Sequence, residues 1–210
     1  MQNRARIVRL FRYRNVARKL KSLNYVRVFS ENLANAVGVT SAQVRKDFSH
    51  FAISGNRRGG YNVEEVIEQI EKVLGKGKLH KVIMVGLGNI GRALLRYPGF
   101  RKDGIKITAA FDIDPAKVNR QDNIPVLPLG EMSKYVKNNN IQIGIITVPD
   151  YAAQQVFELM KSAGIKGVLN FAPICLQESE ECIVNNINLE TELESIIYYV
   201  NTRKKRKQNQ

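Results

Sequence analysis

Hydrophobic residues in the first third of the chain recur at steps of three and four, the spacing of one face of a helix. The spacing predicts a long amphipathic helix from Arg4 to Leu23 with a basic outer face, and another helix from Val63 to Leu74. Two short helices are predicted between them, one from Ser30 to Gly38 and one beginning at Thr40. Two short helices joined by a tight turn are typical of a helix-turn-helix.

Beyond residue 80 the pattern changes to short apolar runs separated by helical stretches. The runs predict buried strands, and their alternation with helices predicts a parallel, doubly wound sheet. The predicted strands are residues 82–85, 105–111, 125–127, 141–148 and 167–171, and the predicted helices are 92–95, 129–137 and 151–163.

The first of these strands runs directly into a glycine-rich turn, Gly86-Leu87-Gly88-Asn89-Ile90-Gly91, which opens a helix. In this context the three glycines permit the turn, the approach of a pyrophosphate and close packing of helix on strand. The helix N-terminus favours the phosphates. Asp112 ends the next strand, 26 residues after Gly86, and is expected to bind a ribose. Because no Arg or Lys adjoins Asp112 in the sequence, we expect NAD(H) rather than NADP(H).

Two later strands end in further candidates for the cofactor site, Thr147-Val148-Pro149 and Asn170-Phe171. Ligands of doubly wound sheets bind at the carboxyl ends of the strands, so these residues are expected around the nicotinamide. Ordinary strand-end turns are the alternative for each. The sequence therefore predicts an α/β chain, in which a winged helix-turn-helix domain precedes a Rossmann-type dinucleotide-binding domain.

The charge of the chain is unevenly distributed. Residues 1–81 carry 17 Lys and Arg against 6 Asp and Glu, a net charge of +11, whereas residues 82–200 carry −2. The last ten residues add +5, giving the total of +14. A basic first third joined to a near-neutral body is typical of a polyanion-binding domain fused to a sensor.

The second helix of the helix-turn-helix has side chains suited to DNA. Ser41, Gln43, Arg45 and Lys46 occupy its first turns, and Arg with guanine and Gln with adenine are favoured pairings. Which of the four would read a base and which would hold a phosphate is left open by the sequence. Residues 55–61, here called the wing segment, are predicted to form a glycine-rich hairpin tip that brings Arg57, Arg58 and Tyr61 to the DNA. A generic three-helix domain with a solvated loop is the alternative.

A last amphipathic helix is predicted over residues 187–202. Its apolar face either packs on its own domain, or the helix is exchanged between protomers. A disordered basic tail is expected at 203–210. The predicted divisions are thus 1–77 for the DNA-binding domain, 78–186 for the Rossmann domain, 187–202 for the dimerisation helix and 203–210 for the tail.

Cys175 and Cys182 are too few for a disulfide framework, so a cytoplasmic setting is expected. No apolar run approaches the length of a membrane span, and no metal site is expected.

Six stretches together resemble the Rex family of bacterial repressors that sense the NADH/NAD ratio. They are AQVRKDFSHF at 42–51, GNRRGGY at 55–61, VGLGNIGRALLRYPGF at 85–100, AAFDID at 109–114, ITVP at 146–149 and AGIKGVLNFAP at 163–173. The resemblance implies a homodimer with swapped C-terminal helices. It further implies binding to an inverted-repeat operator when NADH is low, and release when NADH binds between the Rossmann domains.

The resemblance also implies a switch formed by an arginine of the first helix, an acid before the C-terminal helix and a tyrosine. Tyr97 is present here and counts among the cofactor-binding candidates, but Asn15 and Asn188 occupy the two charged positions. We therefore expect the NADH response to be weakened or retuned. The resemblance also implies glycine where this chain has Ala52 and Arg58, and an aromatic residue where it has Ser54.

Two other functions remain as alternatives. A DNA-binding protein that keeps the dinucleotide fold only as a dimer scaffold is favoured by the two asparagines. An NAD-dependent dehydrogenase would need an acid–base residue beside the nicotinamide. The two histidines, His50 and His80, lie in the recognition region and before the first strand, so this alternative is disfavoured.

Overall fold

The computed structural model describes residues 2–55, 59–75, 79–121 and 123–208, without the side chains of residues 2–3 and 203–208. The chain divides into two compact units, Met1–Lys78 and Leu79–Gln210. The division lies one residue from the boundary expected at 77.

The first unit is helical, with a small two-stranded sheet. Its elements are α1 (Gln2–Ser22), β1 (Arg27–Val28), α2 (Ser30–Val37), α3 (Ser41–His50), β2 (Tyr61–Asn62) and α4 (Val63–Val73). Gly38 ends α2 in a left-handed conformation with φ 76°, which glycine adopts without steric cost. Thr40 then caps α3, because its side chain accepts a hydrogen bond of 3.1 Å from the Gln43 amide. The predicted helix-turn-helix is therefore formed by α2 and α3.

The core of this unit is formed by apolar residues from all four of its helices, although Phe11 and Leu23, which the helical spacing places on the inner face of the predicted first helix, are exposed. Its fully buried members include Leu10, Tyr13, Leu33, Val44, Phe48, Val63, Val66 and Ile70. The rings of Tyr13 and Phe48 meet edge to face at 5.6 Å and join α1 to α3. The recognition helix is thus packed on the longest helix of its own unit.

The wing segment differs in part from the predicted hairpin. β2 pairs antiparallel with β1, which precedes α2, and not with a strand next to it in the sequence. A Cβ on Gly55 would clash with the Tyr61 ring, so the two flanks of the segment lie together. Ala52, at a position where the resemblance implies glycine, has a left-handed φ of 54°. Arg57 and Arg58 lie outside the described residues.

The second unit contains a six-stranded, all-parallel sheet. Its strands are β3 (His80–Val85), β4 (Ile105–Asp112), β5 (Val126–Pro128), β6 (Ile143–Ile146), β7 (Gly167–Asn170) and β8 (Ile183–Asn186). They are arranged in the order β5-β4-β3-β6-β7-β8. Numbered within the unit this is 3-2-1-4-5-6, the order of a dinucleotide-binding Rossmann fold, and the predicted fold class is confirmed. β8 was not predicted, because in the exposed edge segment Ile183–Asn186 only Val184 is buried.

Both faces of the sheet are covered. The helices of this unit before the C-terminal one are α5 (Asn89–Leu95), α6 (Gly99–Lys102), α7 (Met132–Asn139) and α8 (Asp150–Ala163). Along β3, Ile83 and Val85 belong to one buried cluster, and Val82 and Met84 belong to another. Consecutive residues of a strand point to opposite faces, which explains why the predicted strands are continuous apolar runs rather than alternating ones.

The C-terminal helix α9 extends over Leu189–Gln208. It begins after Asn188, whose side-chain oxygen accepts a hydrogen bond of 3.1 Å from the Thr191 amide, the geometry of an N-cap. The helical backbone of α9 continues through residues 203–208, which were expected to belong to a disordered tail. The apolar residues of α9 are exposed; they are Leu189, Leu193, Ile196, Ile197, Tyr198, Tyr199 and Val200. Among the described helices, none combines the length and apolarity required to cross a membrane.

Candidate dinucleotide site and DNA-binding surface

A cavity of about 710 Å³ lies at the carboxyl ends of β3, β4 and β6, where the strand order of the sheet reverses. The volume suits a cofactor-sized ligand. Predicted cofactor residues that line it are Gly86, Gly88, Asn89, Ile90, Asp112, Thr147, Val148, Pro149 and Phe171. The structure thus brings together residues that are up to 85 positions apart in the sequence.

The three glycines of the turn have three different surroundings. Gly86 has φ +96°, and a Cβ there would lie 2.7 Å from the Thr147 carbonyl oxygen. A Cβ on Gly91 would overlap the Gly86 carbonyl oxygen, so only glycine allows α5 to pack this closely on the turn. At Gly88 no described atom lies within 4 Å of the Cβ position, which leaves open space facing the turn. These are the roles of turn, close packing and ligand approach that the motif predicts.

Helix α5 starts immediately after Gly88, because the Arg92 amide donates to the Gly88 carbonyl at 3.0 Å. The N–H groups of the first turn therefore have no acceptor within their own helix. Together with the open space at Gly88, they form a surface suited to phosphate oxygens.

Asp112 is buried and is held by its neighbours. Its carboxylate accepts hydrogen bonds from the Leu87 amide at 2.7 Å, the Asp114 amide at 2.9 Å and the Lys117 ammonium at 3.1 Å. Burial raises the pKa of Asp112, but the hydrogen bonds from Asp114, Leu87 and Lys117 outweigh it and hold the pKa below its usual value. Asp112 is therefore ionised at neutral pH, and it fixes the glycine turn from the neighbouring strand.

The expectation that Asp112 has no neighbouring cation is wrong. No Arg or Lys adjoins it in the sequence, but in the structure the Lys117 ammonium lies 3.1 Å from its carboxylate. The 3₁₀ turn Pro115–Lys117 reverses the chain and carries Lys117 back to the carboxylate and to the wall of the cavity. Asp114 caps this turn by accepting a hydrogen bond of 3.0 Å from the Ala116 amide. The Asp-Pro dipeptide is the signal from which the reversal could have been found.

The residues at the end of β6 and β7 divide into two groups. The Thr147 hydroxyl donates to the Gly86 carbonyl oxygen at 2.7 Å and lies 3.1 Å from that of Val85, and so ties the end of β6 to the glycine turn. Asn170 is fully buried and absent from the described lining of the cavity. Its amide instead braces the loop after β7 through Ile174 and Asn186, with Nδ2 donating at 2.8 and 2.9 Å.

Sequence reasoning missed several residues of the cavity wall. Ile113, Asp114, Lys117, Tyr151 and Gln155 line it, and each lies in the loop or first helical turns after a strand that was predicted. Tyr97 lies apart from this wall. It lines a separate hollow with Leu95 and Ile105, and its ring meets Phe100 edge to face at 5.2 Å.

Neither the two cysteines nor the other possible metal ligands of the described residues form a metal site. Cys175 is exposed and Cys182 is buried, and both are free thiols. Among the described residues, no group of His, Cys, Asp and Glu side chains is arranged to hold a metal ion.

The candidate DNA-binding residues of α3 are placed differently from one another. Arg45 and Lys46 are exposed, and Arg45 donates to the Ser30 hydroxyl at 3.2 Å. Ser41 is half-buried in the first turn. Gln43 is also half-buried, and its amide nitrogen donates to Asp47 at 2.8 Å.

Tyr61 does not extend from the unit as a wing residue would. Its ring is half-buried and meets Phe48 edge to face at 5.0 Å, and burial raises the pKa of its hydroxyl. Tyr61 therefore anchors the wing segment to the core beneath α3.

The two asparagines at the positions expected to form the switch, Asn15 and Asn188, have local partners. Asn15 is exposed on α1, and its oxygen accepts a long hydrogen bond of 3.3 Å from Arg14. Asn188 caps α9, as described above. An aspartate would make the same cap, so this chain keeps the capping function of that position without the charge.

Comparison with known proteins covers both units. Residues 4–49 match a family model described as a putative DNA-binding protein N-terminus, and residues 77–174 match one described as a CoA binding domain. A redox-sensing transcriptional repressor Rex from Desulforamulus reducens is 39% identical over 202 residues, covering 96% of each chain. A second Rex repressor, from Carboxydothermus hydrogenoformans, is 40% identical over 93% of this chain and 95% of its own.

Solved structures agree with these relatives. RSP in complex with beta-NAD+ and operator DNA has a TM-score of 0.89 at 33% identity, covering 97% of this chain and 94% of RSP. RSP in complex with beta-NADH has a TM-score of 0.86 at 32% identity and covers 98% and 97% of the two chains. RSP is a Rex-family repressor, and the relatives are named as repressors rather than dehydrogenases. The chain therefore belongs to the Rex family of redox-sensing transcriptional repressors.

Proposed function

We propose that this chain is a repressor that binds an inverted-repeat operator as a homodimer and leaves it when NADH occupies the cavity of the second unit. The observation that carries the proposal is the presence, in one chain, of an exposed cationic recognition helix and a glycine-turn cavity in a Rossmann sheet. The NAD+, NADH and operator complexes of RSP support it, since this chain resembles that repressor over nearly its full length.

In this proposal α3 enters the major groove. Arg45 and Lys46 are exposed and are available to bases and phosphates, and Ser41 lies near the helix start. Arg57 and Arg58 of the wing segment are assigned to the DNA backbone or minor groove. Tyr61 is reassigned from direct contact to the support of this segment.

The dinucleotide is the signal and not a reagent. The turn from Gly86 to Gly91 and the start of α5 would hold the pyrophosphate, and Asp112 the adenosine ribose. The wall formed by Thr147, Val148 and Pro149 would face the nicotinamide. A cytoplasmic location follows from the proposed DNA and NAD(H) partners.

The exposed apolar face of α9 is the proposed dimer contact. Leu193 and Ile196 are 58% and 59% exposed, and a contiguous exposed apolar face marks an interaction surface. A second copy of the chain, with exchange of the helix, supplies that surface in this proposal.

A second candidate is a repressor whose response to NADH is weakened or lost. Asn15 and Asn188 favour it, because a ligand shifts an equilibrium only by its difference in affinity for the two states. An ion pair formed in one state biases the equilibrium between the two states, so its loss changes how far NADH can shift the protein away from the DNA-bound state.

Operator binding titrated with NADH and with NAD distinguishes these possibilities. The full proposal expects release at NADH concentrations that leave the NAD complex on DNA. Operator binding that is unchanged by saturating NADH, with NADH bound, would establish the weakened repressor. Absence of any preference for operator over random DNA would overturn both.

A further inference from the structure

A carboxylate lies at the centre of the DNA-binding unit, on the recognition helix itself. Asp47 of α3 is 0% exposed. It accepts two hydrogen bonds from Arg9 of α1, from Nε at 2.6 Å and from Nη2 at 2.8 Å. It accepts a third from the Tyr13 hydroxyl at 3.0 Å and a fourth from Gln43 Nε2 at 2.8 Å. One side chain thus joins two positions of α1 to two positions of α3.

The network is complete within the described part of the chain. Every buried side-chain nitrogen or oxygen there has a hydrogen-bond partner. A bidentate arginine and two further donors are what a buried carboxylate requires to remain charged. Although burial raises the pKa of Asp47, the hydrogen bonds from Arg9, Gln43 and Tyr13 outweigh it, and the pKa lies below its usual value.

The charge of Asp47 determines the orientation of the Gln43 side chain. An ionised carboxylate only accepts hydrogen bonds, so the atom of the Gln43 amide that faces it must be the nitrogen. A flipped amide would place Oε1 against the carboxylate. The Oε1 atom and the second N–H of Gln43 are therefore left for other partners. An amide oxygen next to an N–H is the pair that recognises the N6 and N7 atoms of adenine.

We infer that Asp47 is a positioning residue for operator recognition, which fixes α3 on α1 and fixes the donor–acceptor pair that Gln43 presents to a base. The inference rests on the proposed function, since it requires operator binding through α3. In this inference Gln43 contacts one base pair of the operator, and Asp47 sets the orientation of the Gln43 amide that makes the contact. Asp47 itself touches no DNA.

The test measures base discrimination and not only affinity. An operator duplex is selected by the chain from a random pool, and each base pair is then changed singly. For Gln43→Met, which keeps the side-chain length without the amide, discrimination at one base pair should fall about 10- to 100-fold, the value of one bidentate contact. Affinity for random DNA and its salt dependence should not change, because no phosphate contact is lost.

Asp47→Asn is expected to reduce discrimination at that same base pair, because an amide at residue 47 accepts either orientation of Gln43. The double variant Gln43→Met with Asp47→Asn should discriminate no worse than Gln43→Met alone, since both act through one contact. Tyr13→Phe is the matched control: it removes one hydrogen bond to the same carboxylate, leaves Gln43 in place, and should keep the discrimination.

If Asp47→Asn does not fold, an apolar replacement of the network provides the same test. Arg9→Met, Tyr13→Phe and Asp47→Leu together remove both charges and both α1 donors while keeping Gln43, and buried ion networks tolerate apolar replacement. This variant should also lose discrimination at the Gln43 position. Equal losses at all base pairs, or unchanged discrimination in Gln43→Met, would overturn the inference while leaving the proposed function intact. A wild-type chain without operator preference would overturn both.

Discussion

Each unit of the chain contains a buried, ionised aspartate, and the two are used differently. Among the described residues, the partners of the Asp47 carboxylate are side chains, which come from α1 and from α3. Asp112 is bonded by two backbone amides of adjoining loops and by Lys117, which is 33% exposed. The first carboxylate orients one helix on another, whereas the second shapes the backbone of a ligand site.

The difference corresponds to what each unit recognises. A base edge is read by side chains, so the orientation of the helix that bears them must be fixed by other side chains. A pyrophosphate is bound by backbone N–H groups, so the loop that presents them must be fixed through its own backbone. Substitutions at Asp47 should therefore change the reading of DNA bases, whereas substitutions around Asp112 should change the binding of the dinucleotide.

The largest effect is expected in the glycine turn. Gly91→Ala places a Cβ on the Gly86 carbonyl oxygen and should destabilise the second unit by about 3 kcal/mol. Gly88→Ala meets open space and should cost less than about 1 kcal/mol, but it should weaken NADH binding at least about tenfold because the Cβ obstructs the pyrophosphate. Thermal unfolding and the fluorescence of bound NADH measure the two effects, and the chain has no tryptophan to interfere. Equal NADH affinity of Gly88→Ala and wild type would contradict this role of the turn.

Removal of the first carboxylate comes next. Asp47→Asn leaves the Arg9 guanidinium, 20% exposed, without its partner and should destabilise the first unit by about 3 kcal/mol. The pKa of Asp47 is lowered by folding, so its contribution is present above the unfolded pKa of about 3.9 and is lost as the pH falls through the folded value. The difference in unfolding temperature between variant and wild type should therefore shrink as the pH is lowered from 6 to 3. A difference that stays constant over this range would show that the charge of Asp47 is not the cause.

Much of both units could be predicted from the sequence, because the signals are local. The helices of the first unit follow from apolar spacing, and the strand, turn and helix around Gly86 follow from one continuous segment. The three roles of the glycines could be assigned because each depends on the absence of a side chain. The parallel, doubly wound character of the sheet followed from the alternation of strands and helices, whereas the order of its strands was not predicted.

The contacts that define the two aspartates could not be predicted in this way. Asp47 meets Arg9 from a helix 38 residues away, and nothing in the local pattern of α3 marks its inward position as charged. Lys117 returns to Asp112 through a tight reversal, and Asn170 turns away from the cavity because the unpredicted strand β8 offers it Asn186. The left-handed backbone of Ala52 was likewise concealed, since alanine gives no signal for it.

A smaller effect is expected at the two predicted switch positions, Asn15 and Asn188. Asn15→Arg together with Asn188→Asp restores the charges that the family resemblance assigns to the switch. We expect the NADH-dependent loss of operator affinity to increase about 5- to 150-fold, the usual range of allosteric coupling. The measurement is operator affinity with and without saturating NADH for wild type, both single variants and the double variant.

The cap of α9 makes the control for this experiment straightforward. Asn188→Asp and Asn188→Ser both preserve an N-cap, and only the first adds charge. The serine variant combined with Asn15→Arg should respond as the wild type does. An equal gain in both double variants would assign the effect to Asn15→Arg alone and not to a pair of opposite charges.

The smallest effect is expected at the second carboxylate, through the cation beside it. Lys117→Gln removes a partly exposed ion pair, so the free energy of unfolding should change by less than about 1 kcal/mol. Since Lys117 lies on the cavity wall next to the proposed ribose site, its loss should weaken NADPH binding about fivefold relative to NADH. Lys161→Gln is the matched control, because Lys161 forms a similar pair with Glu158 on α8, outside the described cavity lining.

The two lysine variants also test the comparison between the aspartates. If Asp112 only shapes the backbone, its two amide donors keep the turn in place without Lys117, and NADH affinity in Lys117→Gln should match that of Lys161→Gln. A loss of NADH and NADPH affinity together, confined to Lys117→Gln, would instead show that Asp112 depends on a side-chain partner as Asp47 does. Cofactor selectivity would then be a property of the Asp112–Lys117 pair and not of the backbone turn.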